Sequence, residues 1–288
     1  MSTGPAKLRD LIARDIPAVA PLALDALAAR TAQDAGFETL YVGGGALGYV
    51  TTFSEANLTL DQLANVALGI RAACDLPLVL DGTCGWGDPM HLHRTMGYAE
   101  AAGFAAIEIE DQLLPKRAHH HIDVEHLIPT EMMVAKIKEA VAARRDPDFV
   151  IIARTNACRT DSVDAAVARA EAYMEAGADM LLLLPRSADQ AEEIGRRVDA
   201  PLVYMTLAGL PSVGMSLAEL GELGYRLVID ATTPLFARQK ALRLCYEAIA
   251  RGEADPTFGG DYRGEVADIH RLIGLEQMLE IERRTVER

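Results

Sequence analysis

Short apolar runs alternate with amphipathic stretches of helical length along almost the whole chain, and this alternation restricts the fold more than any other feature. Strands are predicted at 17–21, 39–42, 77–81, 105–110, 148–153, 179–184, 201–204 and 226–229. Between them the pattern predicts helices from Asp25 to near Gly36, then at 59–73, 89–102, 130–144 and 162–176, after a short amphipathic helix at 7–13. Helices of this length return the chain so that successive strands lie parallel. Eight such units in 288 residues match a closed (β/α)8 TIM-type barrel. A doubly wound open sheet is the competing arrangement. Gly103, Gly177 and Gly224 each follow a helix, where a left-handed cap favours glycine.

Half of the residues are hydrophobic, enough for a substantial core. No stretch is long and apolar enough for a membrane span, and the N-terminus has no basic-then-apolar export signal, so a cytoplasmic location is expected. The formal charge of -14 disfavours nucleic acid and acidic membranes as partners. An anionic substrate stays compatible, because a few local cations dominate inside a cleft. The four cysteines are scattered and show no metal-ligand spacing.

In a parallel barrel the C-terminal strand ends share one face, so they are a site prediction. They supply Tyr41 with Gly43, Gly44 and Gly45, then Asp81, Glu110 with Asp111, Arg154, and Asp230. The set offers acids for a hard divalent cation and an arginine for a carboxylate. Plainer readings stand beside it: a tight turn for the glycines, and a helix cap for Asp81. The stretch 106–121 breaks from an apolar strand into Glu108, Glu110 and Asp111, then Lys116 and Arg117, then three histidines. Buried acids there need cationic partners or an open mouth. The alternative is a solvated loop. His119, His120 and His121 alternate direction on an extended loop and predict no zinc cage.

Ile109-Glu110-Asp111-Gln112 followed by Pro115-Lys116-Arg117 resembles the mobile-loop signature of the isocitrate lyase and phosphoenolpyruvate mutase superfamily. Asp81-Gly82-Thr83-Cys84-Gly85 is similar to its Asp-Ala-Asp-Thr-Gly motif, and Ala153-Arg154-Thr155-Asn156-Ala157 to its Ala-Arg-Thr-Asp-Ala. The resemblance implies a carbon–carbon lyase acting on a 2-oxo or 2-hydroxy carboxylate through an enolate, with magnesium, or manganese in its place, held by Asp81 and Glu110. It assigns substrate binding to Tyr41, Gly43, Gly44, Gly45 and Arg154, and catalysis to Lys116, His120 and Arg154. Departures are informative. Thr83 replaces a second aspartate, Gly43 a serine, and Ala118 the acid/base cysteine of the lyases. Leu184, Met205 and Phe236 stand where relatives carry polar contacts to large tricarboxylates, which points to a small or less polar substrate. Decarboxylation and retro-aldol cleavage both stay open, as do a phosphonate mutase or hydrolase and a non-catalytic carboxylate-binding barrel. The family further implies a homotetramer. The chain divides as a barrel over 1–251 and, over 252–288, a spacer with one C-terminal helix beginning near Ile269, exchanged between subunits or packed on its own barrel.

Overall fold

The computed structural model describes residues 3–122, 124–257 and 261–287, so part of the expected spacer, 258–260, lies outside it. The chain runs α1 (Gly4–Ile12), β1 (Ala18–Pro21), α2 (Ala26–Asp34), β2 (Leu40–Val42), α3 (Gly44–Val50), α4 (Leu60–Arg71), β3 (Leu78–Asp81), α5 (Leu92–Ala101) and β4 (Ala106–Glu110). It continues through α6 (Thr130–Ala143), β5 (Val150–Arg154), α7 (Ala157–Thr160), α8 (Val163–Glu175), β6 (Met180–Leu182), α9 (Ala188–Arg197), β7 (Leu202–Thr206), α10 (Leu217–Glu222) and β8 (Tyr225–Asp230). Three helices finish it: α11 (Thr233–Arg251), α12 (Tyr262–Leu272) and α13 (Leu275–Thr285).

All paired strands are parallel, in the order β1-β8-β7-β6-β5-β4-β3-β2. The Leu22–Tyr41 bridge, with the Ala23 N–H donating to the Tyr41 carbonyl at 2.9 Å, brings the two ends together. The sheet is therefore a nearly closed TIM-type barrel, and the doubly wound alternative is overturned.

Alternation along each strand sorts the core into two layers. Ile107, Ile109, Ile151 and Leu181 face outward onto the helices, while Val79, Ala106, Ile152, Met180 and Val203 fill the barrel interior. Following the inward positions toward the strand ends, β3 reaches Asp81, β4 reaches Glu108 and Glu110, and β5 reaches Arg154. The same period that packs the interior with aliphatic groups thus lifts charged ones to its mouth. Gly103, Gly177 and Gly224 lie at φ of +83°, +103° and +86°, the left-handed stops expected after α5, α8 and α10.

Two elements differ from expectation. β6 ends at Leu182 rather than 184, and Leu184 has a φ of +48°, outside extended geometry. The tail forms two helices instead of one, because Gly274 takes φ +72° and breaks the run. α12 touches α2 through Arg271 on Asp34 at 2.6 Å. Ile269, Ile273, Met278, Leu279 and Ile281 nevertheless stay exposed along α12 and α13. Among the described residues no helix is long and apolar enough to cross a membrane.

Candidate active site

Register sets charged groups side by side at the barrel mouth, with Asp81 level with Glu108 and Glu110 level with Arg154. Arg154 Nη1 donates to Glu108 Oε1 at 2.6 Å, its Nη2 lies 3.4 Å from Glu110 Oε2, and its Nε donates to Asn156 Oδ1 at 3.1 Å. Lys116, from the loop after β4, sets its ammonium between Glu110 and Glu55. His120 Nε2 reaches Glu55 Oε1 at 3.1 Å. Asp81 accepts the Gly44 N–H at 2.8 Å and the Thr83 N–H at 3.0 Å, one on each oxygen. Gly82 is needed beside it, since a side chain there would run into the Glu108 carbonyl. Glu55, Asp81, Lys116, His120 and Arg154 border a cavity of about 250 Å³ that Met205, Leu207, Ala231 and Phe236 also line.

Four buried carboxylates, Glu55, Asp81, Glu108 and Glu110, face two permanent cations, Lys116 and Arg154. With every group ionised, the mouth would carry two surplus negative charges before His120 is counted. Buried unpaired charge is costly, and the titration of the cluster records that cost. Burial, then the nearby Glu55, lifts Asp81 above its usual range. Burial also pushes Glu108 up to about 7 against the pull of Arg154. Glu55 and Glu110 go the other way: burial is the largest single effect and raises each, but Lys116 acting with His120 on Glu55, and with Arg154 on Glu110, more than offsets it. Lys116 is in turn held above its ordinary value, Glu110 and Glu55 overcoming its desolvation.

A divalent cation would cancel the surplus, so the donor set fits one. Among the described residues no three His, Cys, Asp or Glu side chains converge as a ready cage. Magnesium needs none, since it uses one or two protein carboxylates and keeps its waters.

Glu108 gives a stability test on the metal-free protein. Its folded value of about 7 lies above the ordinary 4.5, so the stability it contributes is whole below about pH 4.5 and lost as pH rises through about 7. Glu108→Gln removes this dependence. Relative to wild type, the variant should gain about 3 kcal/mol in unfolding free energy between roughly pH 4.5 and 8, read by urea titration. A difference that does not change with pH contradicts the assignment.

Residues 8–250 match the phosphoenolpyruvate phosphomutase family. The chain belongs to this family. It is 33% identical to the 2,3-dimethylmalate lyase of Eubacterium barkeri, over 96% of each chain. It is 39% identical to a probable 2-methylisocitrate lyase of Corynebacterium glutamicum, over 75% of this chain and 71% of that one. It is also 37% identical to an oxaloacetate decarboxylase of Chromohalobacter salexigens, over 77% and 76%. A phosphoenolpyruvate phosphomutase structure from Streptomyces platensis superposes with a TM-score of 0.89 at 29% identity, covering 98% of this chain and 99% of that one. The relatives named in this group are lyases, a decarboxylase and a mutase.

Within this phosphomutase-family barrel the strand-end residues divide. Tyr41, Gly43, Gly45, Asp81, Lys116, His120 and Arg154 all border one cavity. Glu110 sits beneath it, 1% exposed and bonded to Lys116 and to Asn156 at 3.3 Å. The glycine triplet is neither a bare turn nor a loop, because it opens α3, and the Gly44 N–H is taken by Asp81. Asp81 thus ties off the start of α3 and not of the helix after its own strand. Asp111 points away, to Tyr173 at 2.7 Å and Arg169 at 3.0 Å on α8. Asp230 caps α11 through the Thr233 N–H at 3.0 Å. Leu184 packs in the barrel interior, whereas Met205 and Phe236 do line the cavity.

The histidines do not lie on an extended loop as expected but within a 3-10 turn, where the rings of His120 and His121 pack with centroids 3.9 Å apart while their polar partners differ. His120 turns to Glu55, His121 to Tyr49 at 3.2 Å and Ser54 at 3.0 Å, and His119 to His126 at 3.4 Å. Ala118 begins the 3-10 turn Ala118–Ile122 and is exposed. Sequence reasoning missed Glu55, which arrives from the 3-10 turn Glu55–Asn57 between α3 and α4 rather than from a strand end. Its only signal was position, a carboxylate shortly after the glycine triplet. Glu125 and Arg159, which also border the cavity, were missed for the same reason.

Proposed function

We propose that this protein is a magnesium-dependent carbon–carbon lyase that cleaves a 2-oxo or 2-hydroxy carboxylate through an enolate, by decarboxylation or retro-aldol cleavage. The observation that carries the reading is the excess of buried carboxylates over cations at the mouth, four against two, beside an arginine that borders the same cavity. Asp81 and Glu110 are the carboxylates that would hold the ion. When bound, a divalent cation stabilises developing negative charge on a substrate oxygen.

The chain's own groups do the rest. Arg154, 13% exposed at its side chain and braced by Glu108, Glu110 and Asn156, meets the substrate carboxylate with a fixed planar fork. Tyr41, Gly43 and Gly45 border the place where the 2-oxo group rests. Lys116 and His120 hold the protons that quench the enolate carbon. Burial opposes the charge on His120, but Glu55 and the Arg117 carbonyl outweigh it and raise its affinity for a proton. Met205, Leu207 and Phe236 leave the outer wall apolar, which favours a substrate with an alkyl branch over a tricarboxylate.

Turnover of a panel of 2-oxo and 2-hydroxy acids, with and without magnesium, tests the reading. Cleavage of at least one member that stops with EDTA supports it. A panel with no turnover contradicts it. The likeness to a phosphomutase structure keeps a second reading, phosphonate chemistry. Phosphate release or isomerisation of phosphonopyruvate, without cleavage of any 2-oxo acid, would favour that instead.

Ala118→Cys separates the two lyase chemistries. Positioned proton transfer is worth about a hundredfold or more, so a retro-aldol enzyme should gain about that much in kcat toward a branched 2-hydroxy diacid. A decarboxylase should turn over oxaloacetate at about its former rate.

We also propose that the protein is a homotetramer whose barrel, residues 1–251, is joined to its neighbours by α12 and α13. The exposed Ile269, Ile273, Met278, Leu279 and Ile281 support this, since a second copy would bury them. Removing residues 262–288 should lower the mass found by light scattering. An unchanged subunit number contradicts it.

A further inference from the structure

The chain that leaves β4 doubles back before α6, and its two limbs pair. Gln112 bridges Leu127 in the antiparallel sense, the Leu113 N–H donates to the His126 carbonyl at 2.7 Å, and the Ile128 N–H donates to the Asp111 carbonyl at 2.8 Å. This ladder pins Glu125, two residues before Leu127, at the foot of the loop, whereas Lys116 and His120 come from nearer its tip. Glu125 borders the catalytic cavity with its side chain only 3% exposed.

The two oxygens of Glu125 differ in what they meet. Oε2 accepts from the side-chain amide of Gln112 and from Asn156 Nδ2, the latter at 3.4 Å. The buried Asn156 amide is itself fixed, because its Oδ1 accepts the Arg154 Nε–H at 3.1 Å and its Nδ2 also donates to Glu110 at 3.3 Å. One carboxamide thus holds Arg154, Glu110 and Glu125 in a set relation. Oε1 accepts no hydrogen bond among the described residues, and Arg159 Nη1 stands 3.7 Å from it, beyond hydrogen-bond reach. The other carboxylates at the mouth are engaged. Asp81 gives both oxygens to backbone N–H groups, Glu55 and Glu110 pair with Lys116, and Glu108 pairs with Arg154. Burial raises the proton affinity of Glu125, Glu110 adds to this, and Arg154 and Arg159 oppose it.

We propose that Glu125 is the general base of a retro-aldol cleavage, taking the hydroxyl proton of a 2-hydroxy acid whose carboxylate is held by Arg154. The inference rests on the lyase reading and narrows it to 2-hydroxy substrates. The proton of the substrate hydroxyl passes to Glu125 Oε1, and the electron pair left on oxygen closes the new C=O bond. The neighbouring C–C bond breaks with its pair on the departing carbon, as an enolate. Lys116 or His120 then protonates that carbon, so one proton leaves the substrate at oxygen and one enters at carbon. A 2-oxo acid has no such hydroxyl proton, and its decarboxylation makes no demand on this base.

Steady-state kinetics on the 2-hydroxy acid that the wild-type protein cleaves fastest, with magnesium present, test this. Glu125→Gln keeps the shape of the side chain and should lower kcat about a hundredfold or more, with KM within about threefold of wild type. Glu125→Ala opens space for a small carboxylate, so added formate should raise its kcat about tenfold or more, in a saturable way, and should not accelerate the wild-type protein. Circular dichroism confirms the fold of both variants, and rescue by formate is an effect that a merely structural carboxylate would not show. A kcat within about threefold of wild type in Glu125→Gln, or a loss that formate does not relieve in folded Glu125→Ala, overturns the assignment. A protein that decarboxylates 2-oxo acids and cleaves no 2-hydroxy acid overturns it too, while the lyase reading stands. If neither class is turned over, the lyase reading itself has failed and this inference falls with it.

Discussion

Arg154→Lys is expected to lower kcat/KM by about a thousandfold, about 4 kcal/mol, while the barrel remains folded. The guanidinium meets Glu108 at 2.6 Å, Asn156 at 3.1 Å and Glu110 at 3.4 Å. Its orientation toward the cavity is the resultant of all three. An ammonium keeps the charge but cannot make these contacts and also present two parallel donors to a carboxylate. The loss should fall on KM as well as kcat, because both binding and alignment depend on the same fork. Steady-state kinetics on any substrate found in the panel decide it. A variant within about threefold of wild type in both constants would remove Arg154 from the site.

Asp81→Asn should cut magnesium-dependent turnover below about one part in a thousand, since a charge that stabilises a metal and a developing oxyanion is worth several kcal/mol. The substitution also tests the local frame. Each oxygen of Asp81 accepts a backbone N–H, from Gly44 and from Thr83, and an amide must turn its own NH2 toward one of them. Some loss of stability, about 1–3 kcal/mol, is therefore expected alongside the loss of activity. Manganese binding followed by electron paramagnetic resonance separates the two effects. Unchanged affinity for manganese in the folded variant would show that Asp81 is a cap and nothing more.

Much of the fold could be read because it rests on local pattern. Eight apolar runs spaced by helices of crossing length leave few arrangements, and glycines such as Gly103 and Gly177 announce helix ends on conformational grounds alone. The site was partly legible for a related reason, since a barrel sends strand ends to one face. Asp81, Glu110 and Arg154 follow from that rule. Glu55 does not, because its place opposite Lys116 depends on how a 3-10 turn and a loop distant in sequence meet over the mouth. Asp111 and Asp230 show the opposite failure, being strand-end acids that the fold spends on Arg169, Tyr173 and the start of α11. Register tells which acids reach the mouth, but the partners that claim them are a matter of tertiary packing. The tail divides for a local reason, Gly274, whose left-handed conformation interrupts an otherwise continuous amphipathic run.

The central claim is that the surplus negative charge at the mouth exists to hold a divalent cation against a planar 2-oxo acid anion. Oxalate has the shape and charge of a pyruvate enolate and cannot be cleaved by this route. Calorimetric titration of oxalate into the wild-type protein, with magnesium and then with EDTA, measures the claim without knowledge of the true substrate. The account predicts tight binding only when magnesium is present, reduced about a hundredfold or more in Asp81→Asn. Oxalate affinity that is the same with magnesium and with EDTA would contradict it.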